Sequence, residues 1–205
     1  MKRLHFTQIN HERQNNLLPF LSVFLLVVLR YLYFGFRYFP QLDDYIQYHN
    51  YAAMGSVPYL IGKLGLLAAR PLAGLFDITL WSWLWPCMIV SVLLLSAAYA
   101  ASAVAFRNLF EKHFGTSGLF IVFYALMPLG IEGTYWVSAS SRIIPGLLLC
   151  ALAAGCFSRY LESGRRGQLA CALVLQFLTF CFYEQTAVLS CALHVLLALL
   201  VVRER

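Results

Sequence analysis

Long apolar blocks alternate with short polar segments along the whole chain. A helix that crosses a bilayer needs about 20 mostly apolar residues, and several blocks approach that length. The six blocks are Leu17–Phe34, Ile78–Ala105 (with Pro86 as a kink), Gly118–Ile131, Ile143–Leu161, Leu169–Phe182 and Ala187–Val202. The third and fifth are short, so each is either a span or a re-entrant segment. The pattern predicts an all-α membrane protein.

The placement of lysine and arginine distinguishes six spans from four. Cytoplasmic loops carry an excess of these residues. With six spans, ten of them lie on the side of the N-terminus and four on the other side, whereas four spans give eight against six. Six spans with a cytoplasmic N-terminus are therefore favoured. The chain is predicted to be one polytopic domain over 1–205 in the cell membrane, with residues 1–16 cytoplasmic and 38–74 as the first outer loop.

Composition agrees with this prediction and argues against a nucleic-acid interface and against a metal site or disulfide framework. The chain is 61% hydrophobic and 12% charged, which is more apolar surface than a soluble domain of 205 residues can bury. The net charge of +6 comes from residues that flank apolar blocks, so a nucleic-acid interface is excluded. The six cysteines lie inside apolar blocks without a C-x-x-C pair, so they are predicted to be small buried hydrophobic residues.

The first outer loop carries two adjacent carboxylates, Asp43 and Asp44, among tyrosines and beside His49. A short helix is predicted here, with one carboxylate as its N-cap. Neighbouring helical positions point about 100° apart, so the two carboxylates cannot serve the same substrate atom. A second, interfacial helix is predicted from Ser56, and Pro71 is predicted to open the following helix at its first position. Simple capping is the alternative role for both aspartates.

These residues resemble the first outer loop of the GT-C glycosyltransferases, which are polytopic enzymes that use polyprenyl-phosphate sugars. Three further segments agree in their order along the chain, and bacterial glucosyltransferase-type members are the most similar. The four segments are Asp43-Asp44-Tyr45-Ile46-Gln47-Tyr48-His49, Arg70-Pro71-Leu72-Ala73-Gly74-Leu75, Glu132-Gly133-Thr134-Tyr135-Trp136 before Arg142, and Phe182-Tyr183-Glu184-Gln185. Full-length relatives have about twice as many spans, so the resemblance is to an N-terminal half, and a second membrane chain could complete it.

The resemblance implies transfer of a sugar from a polyprenyl-phosphate carrier to a glycan, lipid or protein acceptor. Asp43 or Asp44 would be the base for the acceptor hydroxyl, with Asp44 slightly favoured. Arg142, and then Arg70, would bind the leaving phosphate. The remaining candidates would bind the sugar or orient Arg142, and they are Glu132, Glu184, Tyr183, His49, Tyr135 and Trp136. No metal or other cofactor is predicted.

Two other functions fit the same pattern. A lipid-carrier flippase or small-solute transporter would place ionisable residues near the middle of the membrane. Five of the nine acidic residues lie instead near the outer ends of the blocks, and the other four are predicted at the cytoplasmic face beside basic residues. The five are Asp43, Asp44, Asp77, Glu132 and Glu184. The other alternative is a catalytically inert, truncated membrane subunit, in which the outer loops serve only topology.

Overall fold

The computed structural model describes an all-helical arrangement of apolar helices. The described residues are 16–31, 42–45, 66–115, 118–126 and 136–204. Their α-helices are α1 (Leu17–Tyr31), α2 (Leu42–Asp44), α3 (Leu66–Ala69), α4 (Pro71–Phe76), α5 (Met88–Phe114), α6 (Leu119–Leu126), α7 (Val137–Ser163), α8 (Arg166–Phe182) and α9 (Glu184–Glu204). A π-helical turn, Asp77–Trp81, continues α4, and a 3₁₀ turn, Trp85–Cys87, precedes α5.

Three helical stretches are long and apolar enough to cross a membrane. They are Trp85–Phe114, Val137–Ser163 and Glu184–Val201, and each meets the length that the hydrocarbon core requires. Shorter apolar helices accompany them, namely Leu17–Tyr31, Pro71–Trp81 and Arg166–Phe182. The all-α class and the membrane character predicted from the sequence are therefore confirmed at this level.

The second apolar block differs from its prediction as a single span over Ile78–Ala105. The α-helix begins only at Met88, and the chain before it passes through separate π-helical and 3₁₀ turns. Pro86 explains the interruption, because it lacks a backbone N–H and its ring collides with the preceding helical turn. The helix then continues past Ala105 to Phe114, where Gly115 ends it in the left-handed conformation with φ 61°.

The prediction for Pro71 is confirmed, since Arg70 is the N-cap residue of α4 with a non-helical backbone and Pro71 follows at the helix start. The prediction that Asp43 or Asp44 precedes and caps its own helix is wrong. Both lie within α2, and Asp44 bonds to the N-terminus of α7 instead. The continuation of α2 toward Gly55 and the helix predicted from Ser56 fall outside the described residues, apart from Leu66–Ala69.

Three of the later helices begin earlier than hydropathy predicts. The blocks predicted from Ile143, Leu169 and Ala187 begin in the structure at Val137, Arg166 and Glu184. The added turns contain polar residues that hydropathy had placed outside the predicted spans. In α7 these residues are buried by packing, and they include Ser138, Ser140 and Ser141. The fourth, α6, covers Leu119–Leu126, and the rest of its block is not described.

The helix α7 is the centre of the packing, because α5, α8 and α9 all lie against it. Its inward face carries small residues such as Ala151 and Ala154, which let neighbouring backbones approach closely. One such close approach is at Gly146, where a Cβ atom would lie 2.5 Å from Thr186 Oγ1 on α9. Glycine at this position therefore sets the spacing between α7 and α9.

The cysteine prediction is only partly right. Cys150, Cys156 and Cys181 are buried, but the other three thiols lie on the outside of the bundle. The physical reason is that a bundle of membrane helices is apolar on its outward face as well. Hydropathy alone cannot separate the two locations.

We expect Gly146→Ala to destabilise the packing of α9 on α7. Overpacking of this kind costs about 1–3 kcal/mol. Gly155→Ala is the matched control on the same helix, because its Cβ would meet only Arg159 Nη1 at 3.9 Å. The midpoint of SDS-induced unfolding in detergent should fall for Gly146→Ala and stay or rise for Gly155→Ala. Equal midpoints would contradict the close approach.

Candidate functional site

A buried carboxylate joins α2 to the N-terminus of α7. Asp44 Oδ1 accepts a hydrogen bond of 2.7 Å from the backbone N–H of Ser138, and the Asp44 side chain is fully buried. The first N–H groups of a helix have no partner within the helix, and the helix dipole adds positive potential there. Both effects stabilise a negative charge that burial would otherwise make unfavourable. Asp44 is therefore a cap for α7.

The neighbouring carboxylate has a different environment. Asp43 is partly exposed, whereas Asp44 is fully buried. The next residue, Tyr45, packs its ring against Trp85 with 5.5 Å between centroids. Neighbouring helical positions point about 100° apart, and the unequal burial of the two carboxylates agrees with this geometry. Of the two, Asp43 has the greater access to solvent.

Arg142 forms an ion pair with a buried aspartate from the π-helical turn after α4. Arg142 Nη2 lies 3.0 Å from Asp77 Oδ2, and the side chains are 19% and 1% exposed. Arg142 follows Ser138 by one helical turn on α7, so the Asp44 cap and this ion pair are adjacent. The Asp77 backbone is held as well, because its carbonyl oxygen accepts bonds from the Ser82 N–H and hydroxyl.

A second ion pair lies between the start of α4 and the start of α9. Arg70 donates to both carboxylate oxygens of Glu184, with distances of 2.8 Å from Nε and 2.6 Å from Nη2. The guanidinium also lies over the Tyr183 ring at 4.4 Å from the centroid, which is a cation–π geometry. The hydrogen bond to Glu184, which outweighs partial burial, raises the pKa of Arg70.

The two ion pairs belong to one electrostatic cluster. Asp77 contributes to the potential at Arg70, and Arg142 contributes to the potential at Glu184. The Phe76 and Phe182 rings, with centroids 5.5 Å apart, pack α4 against the end of α8. Together with the adjacent aspartates of α2, these residues form the charged cluster, which consists of Asp43, Asp44, Arg70, Asp77, Arg142 and Glu184.

Asp77 was predicted only as one of the acidic residues near the outer ends of the blocks, and its pairing with Arg142 was not predicted. Its position inside an apolar stretch was the available signal. Two further buried polar atoms at this end, Ser138 Oγ and Trp81 Nε1, have no hydrogen-bond partner among the described residues. Both are groups that a bound ligand or water could satisfy.

Two of the remaining residues predicted from the sequence lie within the described part of the chain, and three do not. Trp136 is half-buried directly before α7, and its carbonyl oxygen accepts bonds from the Ala139 and Ser140 N–H groups. Tyr183 lies between α8 and α9, beneath Arg70. His49, Glu132 and Tyr135 lie outside the described residues.

A groove of about 480 Å³ lies elsewhere, between α1 and α5. Its lining includes Leu17, Phe20 and Val104, with Asn16 and Asn108 as its polar side chains. Such a surface suits an acyl chain and offers no charge to a phosphate. Within the described part of the chain, no three His, Cys, Asp or Glu residues are grouped as metal ligands.

We expect Asp44→Ala to destabilise the protein by about 1–2 kcal/mol, the usual effect of losing a helix cap. Asp44→Asn keeps an acceptor oxygen and should be milder. Asp43→Ala is the matched control, and its effect should stay within about 0.5 kcal/mol. SDS-induced unfolding monitored by circular dichroism measures all three. The capping role is refuted if Asp43→Ala and Asp44→Ala are equally destabilised.

The described structure thus brings α2, α4, α7 and α9 together around the charged cluster. No family model matches the chain, and no curated protein or solved structure matches it significantly. What bears on function is the chemistry of the side chains in this cluster.

Proposed function

We propose that the chain is a polytopic membrane glycosyltransferase of the GT-C type, alone or as the N-terminal part of a larger enzyme. It would transfer a sugar from a polyprenyl-phosphate carrier to an acceptor hydroxyl on the outer face of the membrane. The observation that carries the proposal is the convergence of two arginines and four carboxylates at one end of a bundle of apolar helices. This transfer needs a base and a phosphate-binding cation, and the cluster contains both residue types.

The distribution of charge supports an outer location for the cluster. At the opposite end of α7, Lys112 pairs with Glu162, and both Lys112 and His113 contact Ser158. Basic residues are in excess there, namely Arg107, Lys112, Arg159, Arg165 and Arg166. Arg142 and Glu162 are about 30 Å apart along the helix, which is the thickness of the hydrocarbon core. The positive-inside rule assigns the basic end to the cytoplasm.

The helix directions fit six crossings under this proposal. Tyr31 at the end of α1 bonds to Ser140 near the start of α7, while Asn16 lies in the groove beside Asn108. The first helix would therefore run outward, and α5, α7 and α9 would run inward. The helices α6 and α8 would supply the remaining outward crossings.

The difference in burial suggests a division of roles between the two aspartates. A base must reach the acceptor hydroxyl, directly or through one water molecule. Asp44 is buried and bonded to the start of α7, so we assign it a positioning role. The partly exposed Asp43 is the better base. This reverses the slight preference for Asp44 from the sequence.

Arg70 is the better of the two cations for a lipid phosphate. Its side chain is 28% exposed and its partner Glu184 is 54% exposed, whereas Arg142 is paired with the buried Asp77. An exposed ion pair contributes little stability, so a phosphate can replace Glu184 at the guanidinium at low cost. Arg142 would add positive potential at this site, and the Tyr183 ring would hold the plane of the Arg70 guanidinium in position.

Transport remains the main rival function. Many secondary transporters have helices that are broken near the middle of the membrane, where the substrate binds. The interruption at Pro86 precedes α5, at the end of that helix which would face outward. Both α7 and α9 are continuous α-helices. Neither of these two described helices has the break near its middle that would support transport. An inert subunit would lack sugar transfer altogether.

The proposed orientation predicts the accessibility of two engineered cysteines. In a background without native cysteines, Gln185→Cys should react with an impermeant maleimide added to intact cells. Gly167→Cys, at the basic end, should react only after permeabilisation. Both positions are exposed, and a Cβ at Gly167 meets nothing within 4 Å. The reverse pattern of labelling would invert the topology and remove the outer site.

The proposed chemistry predicts a strong effect of Asp43→Asn. Loss of a general base lowers the rate by about 100-fold or more. Asp44→Asn, which keeps the capping oxygen, should retain most of the activity. Transfer of radiolabelled sugar from polyprenyl-phosphate glucose, in membranes with matched amounts of each variant, measures the difference. Undiminished transfer by Asp43→Asn would eliminate Asp43 as the base.

A further inference from the structure

Two cysteine thiols from neighbouring helices meet at the basic end of the bundle. Cys156 Sγ on α7 lies 3.3 Å from Cys171 Sγ on α8. Only Gly164 and Arg165 connect these two helices, so the contact closes a short hairpin. A disulfide bond is about 2.05 Å long, so the sulfur atoms would have to approach by little more than an ångström.

The two thiols differ in their access to small molecules. Cys156 is 5% exposed, while Cys171 lies on the exposed side of α8. The Arg159 guanidinium donates from Nη2 to Cys156 Sγ at 3.1 Å, and its Nε donates to Gln168 Oε1 at 3.3 Å. Arg159 is thus fixed beside the sulfur. The guanidinium therefore places a fixed positive charge within hydrogen-bonding distance of the Cys156 sulfur.

We propose that Cys156 and Cys171 form a redox-active dithiol, which a peroxide converts into an intramolecular disulfide that clamps α7 to α8. The exposed Cys171 reacts first, and Cys156 beside Arg159 resolves the intermediate. No other hydrogen bond between two thiols is present among the described residues. The inference does not depend on the proposed glycosyltransferase activity.

The reaction balances with one peroxide. The Cys171 thiolate attacks one oxygen of hydrogen peroxide, which gives a sulfenic acid and releases hydroxide. The Cys156 thiolate then attacks the Cys171 sulfur, forming the S–S bond and releasing a second hydroxide. The two thiol protons convert both hydroxides to water. Two thiols and one peroxide therefore give one disulfide and two waters, and an added thiol reverses the bond by exchange.

The position of the pair suits a reversible modification. Cys171 lies five residues into α8, about 7.5 Å along the helix from its basic end. Under the proposed orientation this end faces the cytosol, where thiols are normally kept reduced. The disulfide would therefore form only under oxidative conditions. The clamp would join the helix that carries Arg142 to the helix that leads to Tyr183.

A pair of cysteine variants tests the proposal in intact membranes. The test variant keeps Cys156 and Cys171 and replaces the other four cysteines with alanine. The control keeps Cys156 and Cys181, whose thiols are separated by about 15 Å more of α8. After hydrogen peroxide and alkylation of residual thiols, we expect the test variant to lose both free thiols and regain them with dithiothreitol. The control should keep both.

Mass spectrometry of the oxidised native chain tests for the same bond without any substitution, so its result does not depend on whether the variants fold. A disulfide-linked peptide pair containing Cys156 and Cys171 is the expected product. Absence of this product while the thiols remain free would overturn the proposal, as would equal oxidation of the control or a cross-link between two chains.

The role of Arg159 is tested with the same reaction. Arg159→Gln should slow disulfide formation several-fold at neutral pH, and Arg159→Lys should restore part of the rate. If all three chains react at the same rate, Arg159 has no part in the reactivity of the dithiol.

Discussion

The bond between the Asp44 carboxylate and the Ser138 N–H is the constraint on which the end of the bundle that carries the charged cluster depends. A fully buried carboxylate is tolerated only where strong donors meet it, and the start of α7 supplies a backbone donor. The bond joins residues 94 positions apart in the chain. Because its donor belongs to the backbone, it also fixes where α7 begins. Arg142, one turn later, is thereby directed toward Asp77.

Exposure within the charged cluster increases from Asp44 to Glu184. Asp44 and Asp77 are at most 1% exposed, Arg142 is 19% exposed, and the Arg70–Glu184 pair is the most open at 28% and 54%. Removing one partner of a buried pair strands an uncompensated charge, whereas an exposed pair exchanges partners easily. The buried members therefore hold the geometry, and the open pair is where an anionic ligand can bind. This division follows from solvation alone.

The sequence predicted the helical blocks and the start of α4 at Pro71, because these depend on local patterns. It could not predict the start of α7, since Ser138, Ser140 and Ser141 look like loop residues until packing buries them. The partner of Asp77 was equally hidden, because Arg142 lies 65 residues away. Spacing rules for cysteine also failed at Cys156 and Cys171, which meet across a hairpin without a C-x-x-C motif.

Polar residues in the middle of α8 and α9 bear on the choice between catalysis and transport. Gln176 donates from Nε2 to the Ala187 carbonyl oxygen at 3.2 Å, and the Ser190 hydroxyl bonds to Gln176 Oε1. His194 Nδ1 lies 2.6 Å from the Ser190 carbonyl oxygen, and the ring packs against Phe157. The His194 bond lies within α9, whereas the two bonds of Gln176 are interhelical, and such bonds hold membrane helices together. Each of these groups already has a protein partner, so this layer is better suited to fixing α8 on α9 than to carrying a solute. The groups with exchangeable partners are those of the charged cluster.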